Sequence, residues 1–242
     1  MSEIRIGHLY PEHLNIYADR GNIAVLDRRC AWRGIACRVI AVGIGDPLPT
    51  ADLYYLGGGQ DRDQLLIADD LARHADALAA AVAEGAGVLA VCGGYQLLGH
   101  SYRGHAGDEM RGIGLVDLAT EAGPSRMIGN IVLECRLDPA APRRLVGFEN
   151  HAGRTWLGDG VQPLGRVVHG YGNNGVDGLE GVHADGVIGT YVHGPLLPKN
   201  PWLADWLIAR ALARGGQHEP LTPLDDTLEF EAGRVAEAIS SR

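Results

Sequence analysis

No stretch of this sequence approaches the ~18 consecutive apolar residues that a membrane-spanning helix requires, so no membrane span is expected. The opening run, Met1-Ser2-Glu3-Ile4-Arg5-Ile6, has no apolar core of the kind a secretory signal carries. The cysteines, Cys30, Cys37, Cys92 and Cys135, show no C-x-x-C spacing, which argues against the usual zinc and dithiol motifs. No G-x-x-x-x-G-K-[ST] run is present, so a nucleotide site of that type is not expected. Repeats, low-complexity tracts and linkers are also missing. Positive charge is in deficit. The formal net charge of −9 argues against nucleic acid or an anionic membrane surface as the main partner. A cytoplasmic chain with reduced thiols fits these absences.

What is there is enough to build a core. The chain has 242 residues, 46% of them apolar, which suits one domain over 1–242 and excludes a disordered protein. The first half alternates strands and helices. Strands are predicted over 4–9, 37–42, 53–56 and 88–91. A long polar loop covers 10–22. One helix is capped by Asn22, runs to about Arg33 and stops at Gly34. Another covers 63–84, rich in Ala and Leu. Strands alternating with helices imply parallel βαβ units. In the second half, strands over 113–118, 128–137, 145–148 and 165–168 follow one another with turns between them, which implies an antiparallel extension. A loop covers 170–175, and a β-branched strand over 187–192 ends at His193. Two helices close the chain. One spans 202–214, with Pro201 at its first turn and Gly215-Gly216 after it. The other spans 227–239.

The chemistry concentrates where Val88-Leu89-Ala90-Val91 meets Cys92-Gly93-Gly94. A buried strand, a sharp turn and a helix start carry a thiol at the corner. The serine version of this arrangement is the nucleophile elbow, which lifts the nucleophile above the sheet. A free cysteine is usually an inert core residue, and Cys30, Cys37 and Cys135 are read that way. Cys92 is set apart by its context, and the helix N-terminus is expected to favour its thiolate.

Open α/β sheets bind ligands at the carboxyl ends of their strands. Three features end strands here: Gly57-Gly58-Gly59, Cys92 and His193. A cysteine and a histidine brought together form a nucleophile and its general base. His151 is the main rival, and His193 is favoured because it ends a core strand. Backbone N–H groups of the 57–59 loop, with that of Gly93, can form an oxyanion hole. Arg126, in Pro124-Ser125-Arg126-Met127, can grip a carboxylate bidentately.

These residues also carry a resemblance. Val91-Cys92-Gly93-Gly94-Tyr95-Gln96 is similar to the nucleophile motif of class I glutamine amidotransferases. The chain resembles most closely the GatD family, glutaminase subunits of lipid II isoglutaminyl synthase. The motifs include Leu14-Asn15-Ile16-Tyr17, Asp19-Arg20-Gly21-Asn22-Ile23 and Gly57-Gly58-Gly59-Gln60-Asp61-Arg62. They continue through Gly147-Phe148-Glu149-Asn150-His151, Gly153-Arg154-Thr155 and Gly170-Tyr171-Gly172-Asn173-Asn174. They end with Gly189-Thr190-Tyr191-Val192-His193-Gly194-Pro195-Leu196-Leu197-Pro198-Lys199-Asn200. The resemblance implies a flavodoxin-like, mostly parallel sheet flanked by helices, with an antiparallel β extension. It implies Cys92 as nucleophile, His193 as base and Arg126 as the residue holding L-glutamine. Gly58, Gly59, Gly93 and Gln96 join them on the substrate side. It implies no cofactor in this chain. The partner would be a MurT-like Mur ligase subunit that spends ATP to activate the D-glutamate of the lipid II stem peptide, forming a heterodimer with this chain.

One departure stands out. Most class I amidotransferases place a glutamate two residues after the histidine, whereas here the run is His193-Gly194-Pro195. The acid that orients the imidazole would come from the partner or from this chain, where Glu149 and Asp185 are the candidates. Two other readings compete. Cobyric-acid-type synthases share the stretch around 149–155 but are usually fused to their synthetase. A non-catalytic module would keep the elbow as scaffold only.

Overall fold

The computed structural model describes residues 2–16, 19–104, 107, 109–138, 140–194 and 196–240. Tyr17 and Pro195 of the quoted motifs, and part of the expected 10–22 loop, lie outside the described residues. In chain order the elements are β1 (Glu3–Leu9), α1 (Arg20–Ala31), β2 (Ala36–Val42), β3 (Leu53–Leu56), α2 (Asp61–Arg73), α3 (Ala75–Ala83), β4 (Gly87–Val91), α4 (Gly93–Leu97), β5 (Ser101–Arg103) and β6 (Glu109–Arg111). They continue with β7 (Leu118–Cys135), β8 (Arg143–Leu157), β9 (Gly165–His169), β10 (Leu179–Glu180), β11 (Val182–Ala184), β12 (Val187–Thr190), α5 (Leu196–Lys199), α6 (Pro201–Arg214) and α7 (Thr227–Ser240).

The first sheet has the order β11-β12-β4-β3-β1-β2, and every neighbouring pair is parallel except β11 with β12. With β12 counted as the fifth parallel strand, the order is 2-1-3-4-5, the flavodoxin-like arrangement with an antiparallel edge strand added. The apolar runs explain the interior positions. Every residue of β3, β4 and β12 is buried, as strands covered on both faces require. α6 packs on β1 and β4, and α1 packs with α5 and α6.

The second sheet is built on β7. β8 runs antiparallel along one of its edges, while β5 and β9 share the other. The strands predicted over 128–137 and 145–148 are therefore pieces of much longer ones. Gly123 and Pro124, between the strands expected over 113–118 and 128–137, fall in a bulge between Ala122 and Met127 where the ladder shifts register. A proline is tolerated there because a bulge leaves N–H groups unpaired. Arg154 pins the bulge by donating to the carbonyls of Ala152 and Ser125.

Four boundaries differ from the sequence reading. Asn22 does not cap α1 but lies inside it, fully buried. Its amide donates to the Tyr55 hydroxyl and its carbonyl accepts the Leu197 N–H. Tertiary partners outbid the cap. The 63–84 helix is two helices, because His74 turns the chain with φ −94°, ψ −4° and donates its N–H to Leu71, three residues back. The strand expected over 113–118 is irregular until Leu118. β12 ends at Thr190 rather than Val192, because the chain leaves the first sheet there to meet the second.

That meeting positions the site. His193 and Phe148 exchange backbone hydrogen bonds, His193 N–H to Phe148 O at 2.8 Å and Phe148 N–H to His193 O at 3.1 Å. A β-carbon on Gly147 would lie 2.8 Å from the His193 oxygen, so glycine is needed for the two sheets to approach. Elsewhere Arg29, 2% exposed, ties α1 to Asp205 of α6 and to Asp226 before α7. Breaking such a buried pair typically costs ~3–5 kcal/mol.

Candidate active site

Cys92 follows β4 directly and has φ +50°, ψ −107°, a conformation that costs a non-glycine residue roughly 1–3 kcal/mol. Neighbouring contacts hold it there. Its N–H donates to Thr190 O of β12 at 2.8 Å, and its carbonyl accepts the Gln96 N–H at 3.0 Å. Gly94 makes the turn possible, since a β-carbon on it would lie 2.7 Å from Leu56 Cβ and 2.8 Å from Gly57 O. The elbow expected from Val91-Cys92-Gly93-Gly94 is thus present as a strained turn clamped between β3 and β12.

The state of the thiol differs from the sequence reading. Burial pushes the Cys92 thiol up to about 12, and the Asp19 carboxylate adds to the rise. The Gly93 N–H and the Arg126 guanidinium pull the other way but do not prevail. α4 has only five residues, so its dipole offsets little of the desolvation. The resting group is a thiol.

His193 lies three residues past Thr190, at the same end of the sheet as Cys92, and is fully buried. Burial first, then His151 and Arg126, push its imidazole down to about 4. At neutral pH a thiol and a neutral imidazole therefore occupy the carboxyl ends of two adjacent parallel strands. Such a pair can pass a proton as the sulfur attacks.

A cavity of about 590 Å³ opens on the elbow, and Gly59, Gln64, Cys92, Gln96, Arg126 and His151 are in its wall. This volume is in the range of small-molecule sites. His193 and Gly58 are not in the wall. Arg126 projects from the β7 bulge and is aimed by Asn150. Its Nε–H donates to Asn150 Oδ1 at 2.8 Å and its Nη2 to Asn150 O at 2.9 Å. Among the described residues its Nη1 makes no hydrogen bond, which leaves a donor for a carboxylate. If Arg126 grips the α-carboxylate of an amino acid, a charge-assisted bond worth roughly 1.5–3 kcal/mol is at stake. Arg126→Ala is then expected to raise KM for glutamine about ten- to a hundredfold with kcat little changed. A KM at the wild-type value in a folded Arg126→Ala protein would remove Arg126 from the site.

The glycine loop needs one correction. Gly58 is not available as a donor to substrate, because its N–H donates to Asp19 Oδ2 at 2.6 Å. The Gly94 N–H is taken by Gly57 O at 3.1 Å. Among the described residues no backbone carbonyl takes the N–H groups of Gly59 and Gly93, and these two lie together. A β-carbon on Gly93 would come 2.9 Å from the Gly59 nitrogen. Gln96 faces the cavity, but much of its amide is committed inward. Its Oε1 accepts Gln64 Nε2 at 3.0 Å and its Nε2 donates to the Tyr191 hydroxyl at 3.1 Å.

His151 is placed differently from His193. Its Nδ1–H donates to Gly153 O at 2.8 Å, and its ring stacks on Tyr191 with centroids 3.6 Å apart. Its Nε2 is 3.6 Å from Glu149 Oε2. Glu149, fully buried, also accepts the N–H groups of Tyr171 and Gly172 at 2.6 and 3.0 Å. Glu149 therefore serves the 170–172 loop. Asp185 is exposed in the turn before β12, at the opposite end of that strand from His193, so it is not the orienting acid.

Two buried acids beside the site are not singled out from the sequence. Glu180, fully buried and pushed up to about 8 mainly by burial, accepts the Thr190 hydroxyl and the Tyr191 N–H at 2.7–3.1 Å. It fixes the segment that leads to His193. Asp19 sits under the glycine loop. Asp19 belongs to a motif quoted for the resemblance and Glu180 to none, and only the folded chain shows both of them buried.

Comparison with known proteins agrees with this geometry. Residues 5–201 match the model of the CobB/CobQ-like glutamine amidotransferase domain. The chain is 38% identical to the lipid II isoglutaminyl synthase (glutamine-hydrolyzing) subunit GatD of Staphylococcus aureus (strain N315), over 97% of this chain and 95% of that one. It is 36% identical to the subunit of the same name from Streptococcus pneumoniae (strain ATCC BAA-255 / R6), over 99% and 93%. Among solved structures, PurLQS from Thermotoga maritima aligns with a TM-score of 0.60 at 21% identity, over 88% of this chain and 97% of that one. That likeness speaks to the fold.

Proposed function

Because this chain belongs to the CobB/CobQ-like glutamine amidotransferase family, and within it to the GatD subunits, we propose that it hydrolyses L-glutamine at Cys92 and supplies the ammonia to a MurT-like Mur ligase subunit. The observation that carries this reading is the clamped elbow. Cys92 is hydrogen-bonded to β12, whose continuation bears His193, and it opens into a cavity that also holds Arg126. The Cys92 sulfur attacks the carboxamide carbon of glutamine while its proton passes to His193. The N–H groups of Gly59 and Gly93 bind the oxyanion. The C–N bond then breaks, ammonia leaves with a proton from His193, and a glutamyl thioester remains. Water cleaves the thioester with His193 as base, releasing glutamate and restoring the thiol.

In this reading the partner, bound as a heterodimer, uses ATP to activate the D-glutamate of the lipid II stem peptide. The ammonia converts it to D-isoglutamine, a step of peptidoglycan biosynthesis in the cytoplasm. This chain carries no cofactor of its own. The near full-length match to GatD subunits favours this acceptor over that of the cobyric-acid synthases. No helix among the described residues is long and apolar enough to cross a membrane, which suits a subunit that reaches lipid II only through its partner.

The partner also supplies an orienting acid for His193. Two features support this. The position two residues after His193 is a proline, and of the chain's candidate acids Glu149 is committed to the 170–172 loop while Asp185 is at the wrong end of β12. An acid that fixes the tautomer can be worth ~10⁴ in serine triads. Glutaminase kcat is therefore expected to be low for the free chain and to rise on adding the partner without ATP. Equal values would refute the shared site. A complete loss of free-chain activity in Glu149→Gln would return the acid to this chain.

A further inference from the structure

The middle of the glycine loop is held from both sides by the segment before α1. The Gly58 carbonyl accepts the Ile16 N–H at 3.1 Å, and the Gly58 N–H donates to Asp19 Oδ2 at 2.6 Å. A peptide unit is planar, with its C=O and N–H pointing opposite ways. Holding the Gly58 oxygen on Ile16 therefore turns the Gly59 N–H away from that segment and towards Gly93. The clamp leaves no room to spare, since a β-carbon on Gly58 would lie 2.9 Å from Asp19 Oδ2. Asp19 is itself immobilised. Its N–H donates to Ile16 O at 3.2 Å, and its carbonyl accepts the Asn22 N–H at 3.0 Å and the Tyr55 hydroxyl at 3.1 Å.

For a purely structural residue the cost is high. Asp19 is fully buried, and its Oδ1 accepts no hydrogen bond among the described residues. An asparagine would supply the same acceptor to Gly58 without burying a charge, which folding normally avoids. The charge has one evident target. After burial itself, Asp19 is the strongest influence on the Cys92 thiol, and it disfavours the thiolate. Other titratable or charged groups around the two are Tyr55 of β3, Asp61 of α2, Arg126 of β7, His151 of β8 and His193 beyond β12. Asp61 acts with Asp19 on the thiol, and Arg126 acts against it. Burial pushes the Asp19 carboxyl up to about 7, so it is partly ionised at neutral pH.

We propose that Asp19 is a positioning residue for hydrolysis at Cys92: its carboxylate holds the Gly57–Gly58 peptide, the unit that leads into the one whose Gly59 N–H faces the oxyanion, and it sets a negative charge against the Cys92 sulfur. The proposal rests on the glutaminase reading and deepens it. The oxyanion part matters only in the transition state, so its loss lowers kcat rather than raising KM. The charge part matters before any substrate binds.

The test uses Asp19→Ala and Asp19→Asn in the full-length chain. Asparagine keeps an acceptor for Gly58 and loses the charge, whereas alanine loses both. Glutamine turnover reads the first role. Alkylation of the Cys92 peptide by iodoacetamide against pH, followed by mass spectrometry, reads the second. Asp19→Ala is expected to lower kcat ~100-fold, the effect of losing one oxyanion donor, with KM nearly unchanged. Asp19→Asn should lose less than about tenfold, since its acceptor remains. Both variants should alkylate with a midpoint at lower pH than wild type, because removing a negative charge makes the thiolate cheaper. A wild-type kcat in Asp19→Ala would overturn the positioning role, and an unmoved midpoint in both variants would overturn the charge role. Should Asp19→Ala fail to fold, Asp19→Asn decides by its midpoint and by whether its kcat stays within about tenfold of wild type. If the wild type does not hydrolyse glutamine even with the partner added, the glutaminase reading fails, and the alkylation profile still judges the charge.

Discussion

Replacing Cys92 by alanine is expected to abolish glutamine hydrolysis, because no other thiol can take its place. Cys30 and Cys135 are buried, Cys37 is half-buried on β2, and none of the three is in the wall of the cavity that holds Cys92. A glutamine-like chloroketone should therefore label Cys92 once per chain and leave the other three unmodified, as read by peptide mass spectrometry. Persistent labelling at the same rate in Cys92→Ser would sink the assignment. The pH dependence follows from the raised thiol. With its value pushed up to about 12, the thiolate is scarce at neutral pH and becomes commoner as pH rises. Alkylation of the free chain by a reagent that does not mimic substrate should climb about tenfold per pH unit between neutrality and roughly pH 10, since only the thiolate reacts. A plateau already at pH 7 would mean that the sulfur is ionised at rest and that the proton transfer to His193 precedes glutamine.

His193→Ala is expected to reduce kcat by ~10²–10⁴, the usual contribution of a positioned proton-transfer group. His151→Ala should be milder, since its Nδ1 is engaged by Gly153 O and its neighbouring acid by the 170–172 loop. The reverse ranking would transfer the role of base to His151, which faces the cavity more directly. The lowered imidazole also predicts the shape of the acid limb. A base whose value is pushed down to about 4 stays unprotonated, and so able to accept a proton, well below pH 6.5. The kcat/KM profile, which reports groups of the free enzyme, should hold through pH 6 and fall only as pH approaches 4. A fall centred at 6.5 or above would show that the working base is not this buried imidazole.

Much of this architecture is written locally. The apolar runs of β3 and β4, the Gly-Gly after Cys92 and the Pro201 start of α6 each specify their element through neighbours one to four residues away. Gly34 and Gly216 take the positive φ that glycine allows after a helix. Where the reading fails, a distant partner has intervened. Asn22 looks like a cap until Tyr55 and Leu197 claim its side chain. The gap expected between the 113–118 and 128–137 strands is instead bridged by β7, with Gly123-Pro124 held as a bulge by β8 and Arg154.

The site divides in the same way. The sequence by itself determined the strained elbow at Cys92, because such a turn must be encoded by the residues that make it, Cys92 and the small residues after it. It also placed the glycine loop, Cys92 and His193 at strand ends, since alternating strands and helices imply parallel units whose carboxyl ends share one edge of the sheet. Only the tertiary structure decided the protonation states and the division of labour among the polar groups. The Cys92 thiol is neutral because burial outweighs a five-residue helix. Gly58 is withdrawn from the oxyanion site because Asp19, thirty-nine residues away in the chain, takes its N–H. Glu149 goes to the 170–172 loop and Asp185 to the far end of β12 because strand register, not composition, sets what a carboxylate can reach. Burial and hydrogen-bond partnership depend on residues far apart in the chain, and no local pattern of side chains encodes them.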